Sequence, residues 1–493
     1  MRINGKREWK MKNLKMFIIC LWVVFAAFGM RATKLWAGGE FKLPAVKDIE
    51  DNKKFYDDPR PWYTSDAFNY KKILPPDVYS ELTYDVETMK KLWAEIVGFK
   101  APDVVNKTAP EIKPGVYSCK DKEQYPGLKM LMTEYHYNRF KPGAPPFAGN
   151  FPEMKIVPTR QYYNALSIAE ATKNNTGKTM LNDKTGIIEE ETYMNGYPFP
   201  MPEGKFKANQ IYYNWLKRYW GWDSKYGLMD ARGFSGSLRE DFVAIADFWK
   251  LKLKGRVMDP PGWFDKRAQL QGESDGYSFR YYSPRDLFGN VIGYVKYLNP
   301  DKFDQAMLYV ATLRRVRLMS ATDVQDSVGG ADAIYLDDDV CTQKLSTKVF
   351  PSKMELIAER ELLLPNNHDG SAYVTSPAKG VEYHNLEWER RPVYVLKMTI
   401  LDKNFVYGHR IIYIDRETFF LRLVENYDRK GRLYRTNELV LTFVPEMGMA
   451  TWGDSFSQDH LDFHTSIAHN FIVPVPWLSR DKVSLEYLYK TGK

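Results

Sequence analysis

The chain has 493 residues, 44% of them hydrophobic, with 27 Phe, 13 Trp and 33 Tyr, enough for a sizeable core in one large or two ordinary domains. Its formal net charge of +8 lies almost wholly in residues 1–37, which hold eight Lys/Arg against one Glu, so the rest is near +1. That excludes the broad basic surface on which non-specific nucleic-acid binding depends.

Residues 1–37 read as an export signal. Arg2, Lys6, Arg7, Lys10, Lys12 and Lys15 form its basic start, Met16 to Met30 its apolar stretch, and Ala37 a cleavage point. The apolar run is short for a spanning helix, so a retained anchor is the alternative. Cys20 follows Ile19 rather than a small residue, which argues against lipoprotein processing. Beyond the signal only Cys119 and Cys341 remain, either paired or as two buried thiols.

Residues 38–82 are rich in Pro, Asp, Lys and Tyr, lack periodicity, and read as an extended arm. The run 85–98 predicts a helix. Asp85 caps it, Val86, Met89, Trp93, Ile96 and Val97 share a face, and Gly98 ends it. Residues 100–155 read as loop. At 195–204 the stretch NGYPFPMPEG sets three prolines among Tyr197, Phe199 and Met201. Proline stiffens it without regular hydrogen bonds, so its apolar side chains are expected to dock on the sheet. A helix is predicted at 206–220, with Ala208, Ile211, Tyr212, Trp215, Leu216 and Tyr219 on one face and Gly221 as the stop.

Period-two patterns follow. Strands are predicted at 279–283, 291–298, 305–310 and 313–318, then an antiparallel meander over 392–443 with Arg410, Arg422, Arg432 and Arg435 facing outward. The class is α+β, a large curved antiparallel sheet with a few helices. Three divisions are expected: signal 1–37, an N-terminal arm and helical region 38–190, and a sheet domain 191–493.

Motifs for chemistry are sparse. His460, His464 and His469 lie near Asp459 and Asp462, and a helix would bring His460 and His464 to one face as weak candidate metal ligands. Gly453 and Ser455 to Ser457 point to a loop instead. The triplet Asp337–Asp339 lacks calcium-loop spacing, and Gly177–Lys178–Thr179 lacks the first P-loop glycine. GxSxG and HExxH are absent. No cofactor and no catalysis are expected.

Several stretches together resemble the domain of unknown function 1329 family of exported bacterial proteins. They are IVPTR at 156–160, NGYPFPMPEG, the helix with Asn214, Arg218 and Gly221, RRVRLM at 314–319, LIAERELLLP at 356–365, and the run 409–435. Tyr213 and Trp215 stand where the family usually has Trp and His, so no role of that histidine carries over. The resemblance implies a relative of the LolA/LolB lipoprotein carriers. Their fold is an incompletely closed antiparallel half-barrel, here over about 275–445, with the 206–220 helix as a lid on its concave side. It further implies a periplasmic carrier of a lipid or other hydrophobic molecule, working beside a resistance-nodulation-division type transporter and an outer-membrane partner. The expected groove rim and lid are Tyr197, Phe199, Met201, Ile211, Tyr212, Trp215 and Tyr219. The alternatives are a cargo-free periplasmic adaptor of an envelope export complex and, third, a metal-dependent enzyme using His460 and His464.

Overall fold

Fifteen strands rich in β-branched and aromatic residues pair into one sheet in the computed structural model, which describes residues 70–143, 149–319, 344–366 and 386–491, the pieces 373–376 and 380–383, and positions 325 and 334. The expected signal, residues 38–69 of the expected arm, Asp337–Asp339 and Cys341 lie outside the described residues.

The strands are β1 Gly115–Ser118, β2 Glu153–Ile156, β3 Ser224–Phe234, β4 Glu240–Lys252, β5 Lys254–Arg256, β6 Gly262–Trp263, β7 Glu273–Ser283, β8 Val291–Tyr297, β9 Gln305–Val310 and β10 Arg315–Met319. They continue as β11 Ser352–Asn366, β12 Tyr373–Ser376, β13 Gly380–Tyr383, β14 Glu387–Ile400, β15 Tyr407–Asp415, β16 Leu421–Asp428, β17 Leu433–Val444, β18 Met449–Asp459 and β19 Thr465–Pro474. The order is β1-β2-β14-β15-β16-β17-β18-β19-β3-β4-β7-β8-β9-β10, with β11 on β14 and touching β17. Short connections make nearly every neighbour antiparallel. The parallel contacts of β2 with β14 and of β11 with β17 make the sheet mixed, and it does not close as a barrel.

β14 is the hub. One edge pairs with β11 over its whole length, and the other is shared between β15 and the two-residue parallel contact with β2. The meander expected over 392–443 is β14 to β17, and the four earlier predicted strands are β7 to β10. β3, β4, β18 and β19 extend the sheet beyond the expected 275–445. β3 and β4 bury residues on both faces, so their sequences lack clean alternation. β18 is MATWGDSFSQD, and its polar residues, read as loop, are satisfied across the sheet, as where the Gln458 amide donates to Thr465 Oγ1 at 3.2 Å.

The helices are α1 Tyr70–Ile73, α2 Pro76–Leu82, α3 Val86–Val97, α4 Ala101–Val104, α5 Pro126–Leu131, α6 Glu134–Arg139, α7 Leu166–Asn175, α8 Lys207–Leu216, α9 Lys266–Gln271 and α10 Leu485–Thr491. α3 is capped as expected: the Thr88 amide donates to Asp85 Oδ2 at 2.8 Å, and Gly98 sits at φ +83°. α1 and α2 replace the end of the expected arm, and α4 to α6 with β1 and β2 interrupt the expected loop 100–155. Elements of four to seven residues are too short to show a period. α8 ends at Leu216, a turn earlier than predicted.

One hydrophobic cluster takes residues from both sides of position 190. Leu128, Leu131 and Tyr135 from α5 and α6 pack with Leu362 to Leu364, Trp388 and Val395 of β11 and β14. α10 covers the far end, where Leu488 joins Val291, Met307 and Tyr309. Two of the arginines expected to face outward do not: Arg410 is 4% and Arg422 1% exposed. Arg410 donates to Asn426 Oδ1 at 2.7 Å and Arg422 to Asn366 Oδ1 at 2.6 Å, so hydrogen bonding permits their burial. Among the described residues no helix is long and apolar enough to cross a membrane.

Candidate functional site

The proline stretch is docked. Its backbone lacks regular partners, and side chains supply them. The Tyr197 amide donates to Thr172 Oγ1 of α7 at 3.0 Å, and the Gly196 amide to the Tyr219 hydroxyl at 2.6 Å. Asn214 of α8 pairs with Phe199 twice, accepting from its N–H at 3.0 Å and donating to its carbonyl at 2.6 Å. Gly196 is required here: at φ +77° a Cβ would lie 2.5 Å from the Thr172 backbone nitrogen. The Tyr197 ring meets Trp93, Tyr219 and Phe419, the last in the β15–β16 turn. Phe199 is half-buried, but Met201 is 57% exposed, so its expected docking fails. Pro202 beside it is buried, and Glu203 is exposed in the segment before α8.

The other expected lid residues are interior. Ile211, Tyr212, Trp215 and Tyr219 are 0–4% exposed. Trp215 packs edge-on against Phe420, and Tyr219 donates to the Gly255 carbonyl at 2.6 Å. None of the seven lines either of the two cavities described below.

Behind the proline stretch lies a buried ionic network. Arg391 donates to Asp415 at 2.7 and 3.3 Å, to Glu417 at 2.8 Å and to the Arg160 carbonyl at 2.6 Å. Glu417 accepts also from the Ala101 and Tyr162 amides, each at 2.8 Å. Glu389 takes the Tyr162 hydroxyl at 2.9 Å and the guanidinium of Arg160. Arg391, Asp415 and Glu389 are fully buried. The opposing carboxylates hold the Arg391 guanidinium well above its usual range despite burial, and Arg391 in turn holds Asp415 below its own. The partners come from α4, the IVPTR segment, β14 and the β15–β16 turn, so the network fastens the N-terminal helices to the sheet. No buried side-chain nitrogen or oxygen of Arg391, Glu389, Asp415 or Glu417 lacks a protein partner, as fits a structural tie.

The histidines are dispersed. They flank a turn between β18 and β19, not a helix. His460 Nε2 is 3.1 Å from Thr436 Oγ1, His464 Nε2 is 2.9 Å from Asp241 Oδ2, and His469 pairs with Asp454. Among the described residues no group of three His, Cys, Asp or Glu gathers to hold a metal. Burial, then the nearby Arg139, pushes His460 down to about 3. Cys119 is half-buried against the core beside β1.

Two cavities stand out among the described residues. The larger, about 430 Å³, lies between α1–α2 and β17–β19. Phe443, Val444, Pro445 and Ile472 are its apolar wall, with the rings of Tyr70 and Tyr79 across from them, and Lys71 and Glu446 its only ammonium and carboxylate groups. Tyr70 closes one side by donating to the Ile472 carbonyl at 2.6 Å. The Thr442 hydroxyl is buried there without a protein partner. The smaller cavity, about 60 Å³, lies under Tyr213, Leu216 and Lys217, and five lysines are among its lining residues.

Residues 132–471 match the family described as protein of unknown function DUF1329. The chain belongs to the DUF1329 family. A DUF1329 family protein from Desulfovibrio piger is similar at 14% identity and a TM-score of 0.38, over 54% of this chain and 91% of that one. A structure described as an outer membrane lipoprotein-sorting protein domain, from Vibrio parahaemolyticus, reaches 15% and 0.39 over 57% and 97%. A LolA superfamily protein from Nitrosomonas europaea gives 12% and 0.34 over 57% and 98%. An uncharacterised protein of Pseudomonas aeruginosa is 22% identical over 323 residues, 62% of this chain and 67% of the relative. In this DUF1329 chain Arg160, Glu389, Arg391, Asp415 and Glu417 all fall inside the matched span. Of the stretches that carry the family resemblance, IVPTR supplies Arg160 and the run 409–435 supplies Asp415 and Glu417, while Glu389 and Arg391 come from β14 outside them. Neither cavity was visible in the sequence, because each is assembled from segments far apart in the chain.

Proposed function

We propose that this protein is an exported, periplasmic carrier that holds a lipid or another hydrophobic molecule in the cavity between α1–α2 and β17–β19. The cavity carries the reading. Its 430 Å³ falls within the ~300–1,000 Å³ of small-molecule sites, and its wall sets aromatic and aliphatic side chains beside a comparable share of polar groups, among them Thr442, Thr451 and Asn470, that can fix orientation. Apolar ligand area buried there would contribute roughly 25 cal/mol per Å². The expected lid of α8 is replaced in this proposal by α1 and α2, which stand at the cavity. The reading includes delivery between a resistance-nodulation-division type transporter and an outer-membrane partner, as the family resemblance implies, and involves no catalysis.

Native mass spectrometry of the full chain purified from its own envelope tests it. A bound hydrophobic molecule should survive gentle ionisation, and Thr442→Phe, which fills the cavity and removes its orphaned hydroxyl, should abolish that added mass while the protein stays folded. Repeated recovery of bare protein, or a ligand indifferent to Thr442→Phe, sinks the proposal.

A further inference from the structure

The smaller cavity has a different chemistry. Its wall brings together Lys217, Lys252, Lys254, Lys296 and Lys344 with only Glu190 and Asp275 as carboxylates. Lys217 pairs with Glu190 at 2.6 Å, and Lys344 reaches outward to Asp304 at 2.7 Å. Five ammonium groups therefore meet three carboxylates. The next layer adds Arg218, Lys250 and Arg256 against Asp223 and Asp259, so it does not cancel the imbalance.

Lys254 sharpens the case. It is 7% exposed, and among the described residues its ammonium meets the Trp263 ring at 4.7 Å but no carboxylate or carbonyl oxygen. Its stem is buried while its ammonium keeps contact with solvent in the pocket, which leaves the charge open to an anion there. Lys252 is 6% exposed and donates to the Lys217 and Arg218 carbonyls at 3.2 and 3.1 Å, which uses two of its three N–H groups and leaves its charge uncompensated by them. The fold itself converges these residues. β4 and β5 place Lys252 and Lys254 two apart on one side, and the β7–β8 register sets Asp275 opposite Lys296. Burial pushes Lys254 down to about 8 and Lys252 below its usual range, while Lys250, Lys252 and Lys296 pull Asp275 down despite its burial. Of the three, the lowered Asp275 is the one that the surrounding cations produce; the two lysines are lowered first by burial. The cavity of about 60 Å³ has room for a few waters, the size of one tetrahedral oxyanion.

We propose that this pocket binds a phosphate group, free or carried as a lipid headgroup, with Lys252, Lys254 and Lys296 as its ligands. The site rests on charge and geometry, not on the apolar cavity, so either can fail alone.

Calorimetric titration of the full chain, at fixed ionic strength with chloride as the reference, tests it with two probes: inorganic phosphate and a water-soluble short-chain phosphatidic acid. The neutral diacylglycerol of the same chain length is the control. Saturable binding of at least one phosphate-bearing probe is expected, weakened tenfold or more by Lys254→Gln and by Lys296→Gln. Binding of inorganic phosphate identifies a soluble anion; binding of the phosphatidic acid alone, with the diacylglycerol inert, identifies a headgroup. The proposal is overturned if neither probe binds, or if whichever variant folds binds as tightly as the parent chain.

Discussion

Asp415 accepts from Arg391 and from the amides of Glu417 and Thr418, at 2.9 and 3.0 Å, with no solvent to replace any of them. Asp415→Asn keeps the shape but removes the charge opposite a fully buried guanidinium. Breaking a buried pair on one side costs ~3–5 kcal/mol, and denaturant unfolding of the variant should show a loss of that order. His460 gives a pH test. Its folded value is about 3 against an ordinary 6.5, so below 6.5 the unfolded chain binds a proton that the folded chain refuses. The stability attached to His460 is therefore present above 6.5 and is lost as pH falls toward 3. The slope is at most ~1.4 kcal/mol per pH unit, lessened by its partial exposure. His460→Gln should flatten unfolding free energy against pH between 6.5 and 4 relative to the parent chain. An unchanged profile would mean that the ring titrates normally.

α8 is held less by helix propensity than by what surrounds it. It carries no side-chain N-cap hydrogen bond, and its neighbours include the proline stretch, Phe420 and β11. Asn214 is the clasp, because its amide satisfies both backbone groups of Phe199. Asn214→Ala leaves those groups without that partner at about 1–3 kcal/mol, and amides of α8 should exchange roughly tenfold to a hundredfold faster. Replacing Pro198 and Pro200, both buried, with Gly should speed the same amides through added chain entropy rather than through a lost bond. If both variants exchange like the parent chain, the stretch does not hold the helix.

The cavity belongs to the whole molecule, since Tyr70 and Ile472, which meet at it, stand 402 positions apart in the chain. A ligand that fills it binds only the folded state. At a hundredfold excess over its Kd such a ligand should add ~2.7 kcal/mol of stability, read as a raised unfolding midpoint of ligand-stripped protein. A midpoint indifferent to the co-purified molecule would place that molecule outside the folded cavity.

Local grammar made some of this legible from residues alone. Asp85 and Gly98 frame α3 because cap and stop are one-residue devices, and β7 to β10 and β14 to β17 follow period-two runs between turn residues. Family membership was legible too, since collinear stretches such as IVPTR and the run 409–435 stand in the sequence itself. What only the tertiary structure decided is which side chains meet. Arg422 and Arg410 read as outward because alternation names two faces without saying that both are covered. Lys252 and Lys254 carried no signal in the sequence, because only the packing of β7, β8 and α8 around them makes a pocket. Met201 read as docked beside Tyr197, yet a stiff segment fixes direction, and only the packed neighbours decide which of its side chains point inward. Sequence period is a property of a few residues in a row; a cavity is an arrangement of segments hundreds of residues apart, and packing alone sets it.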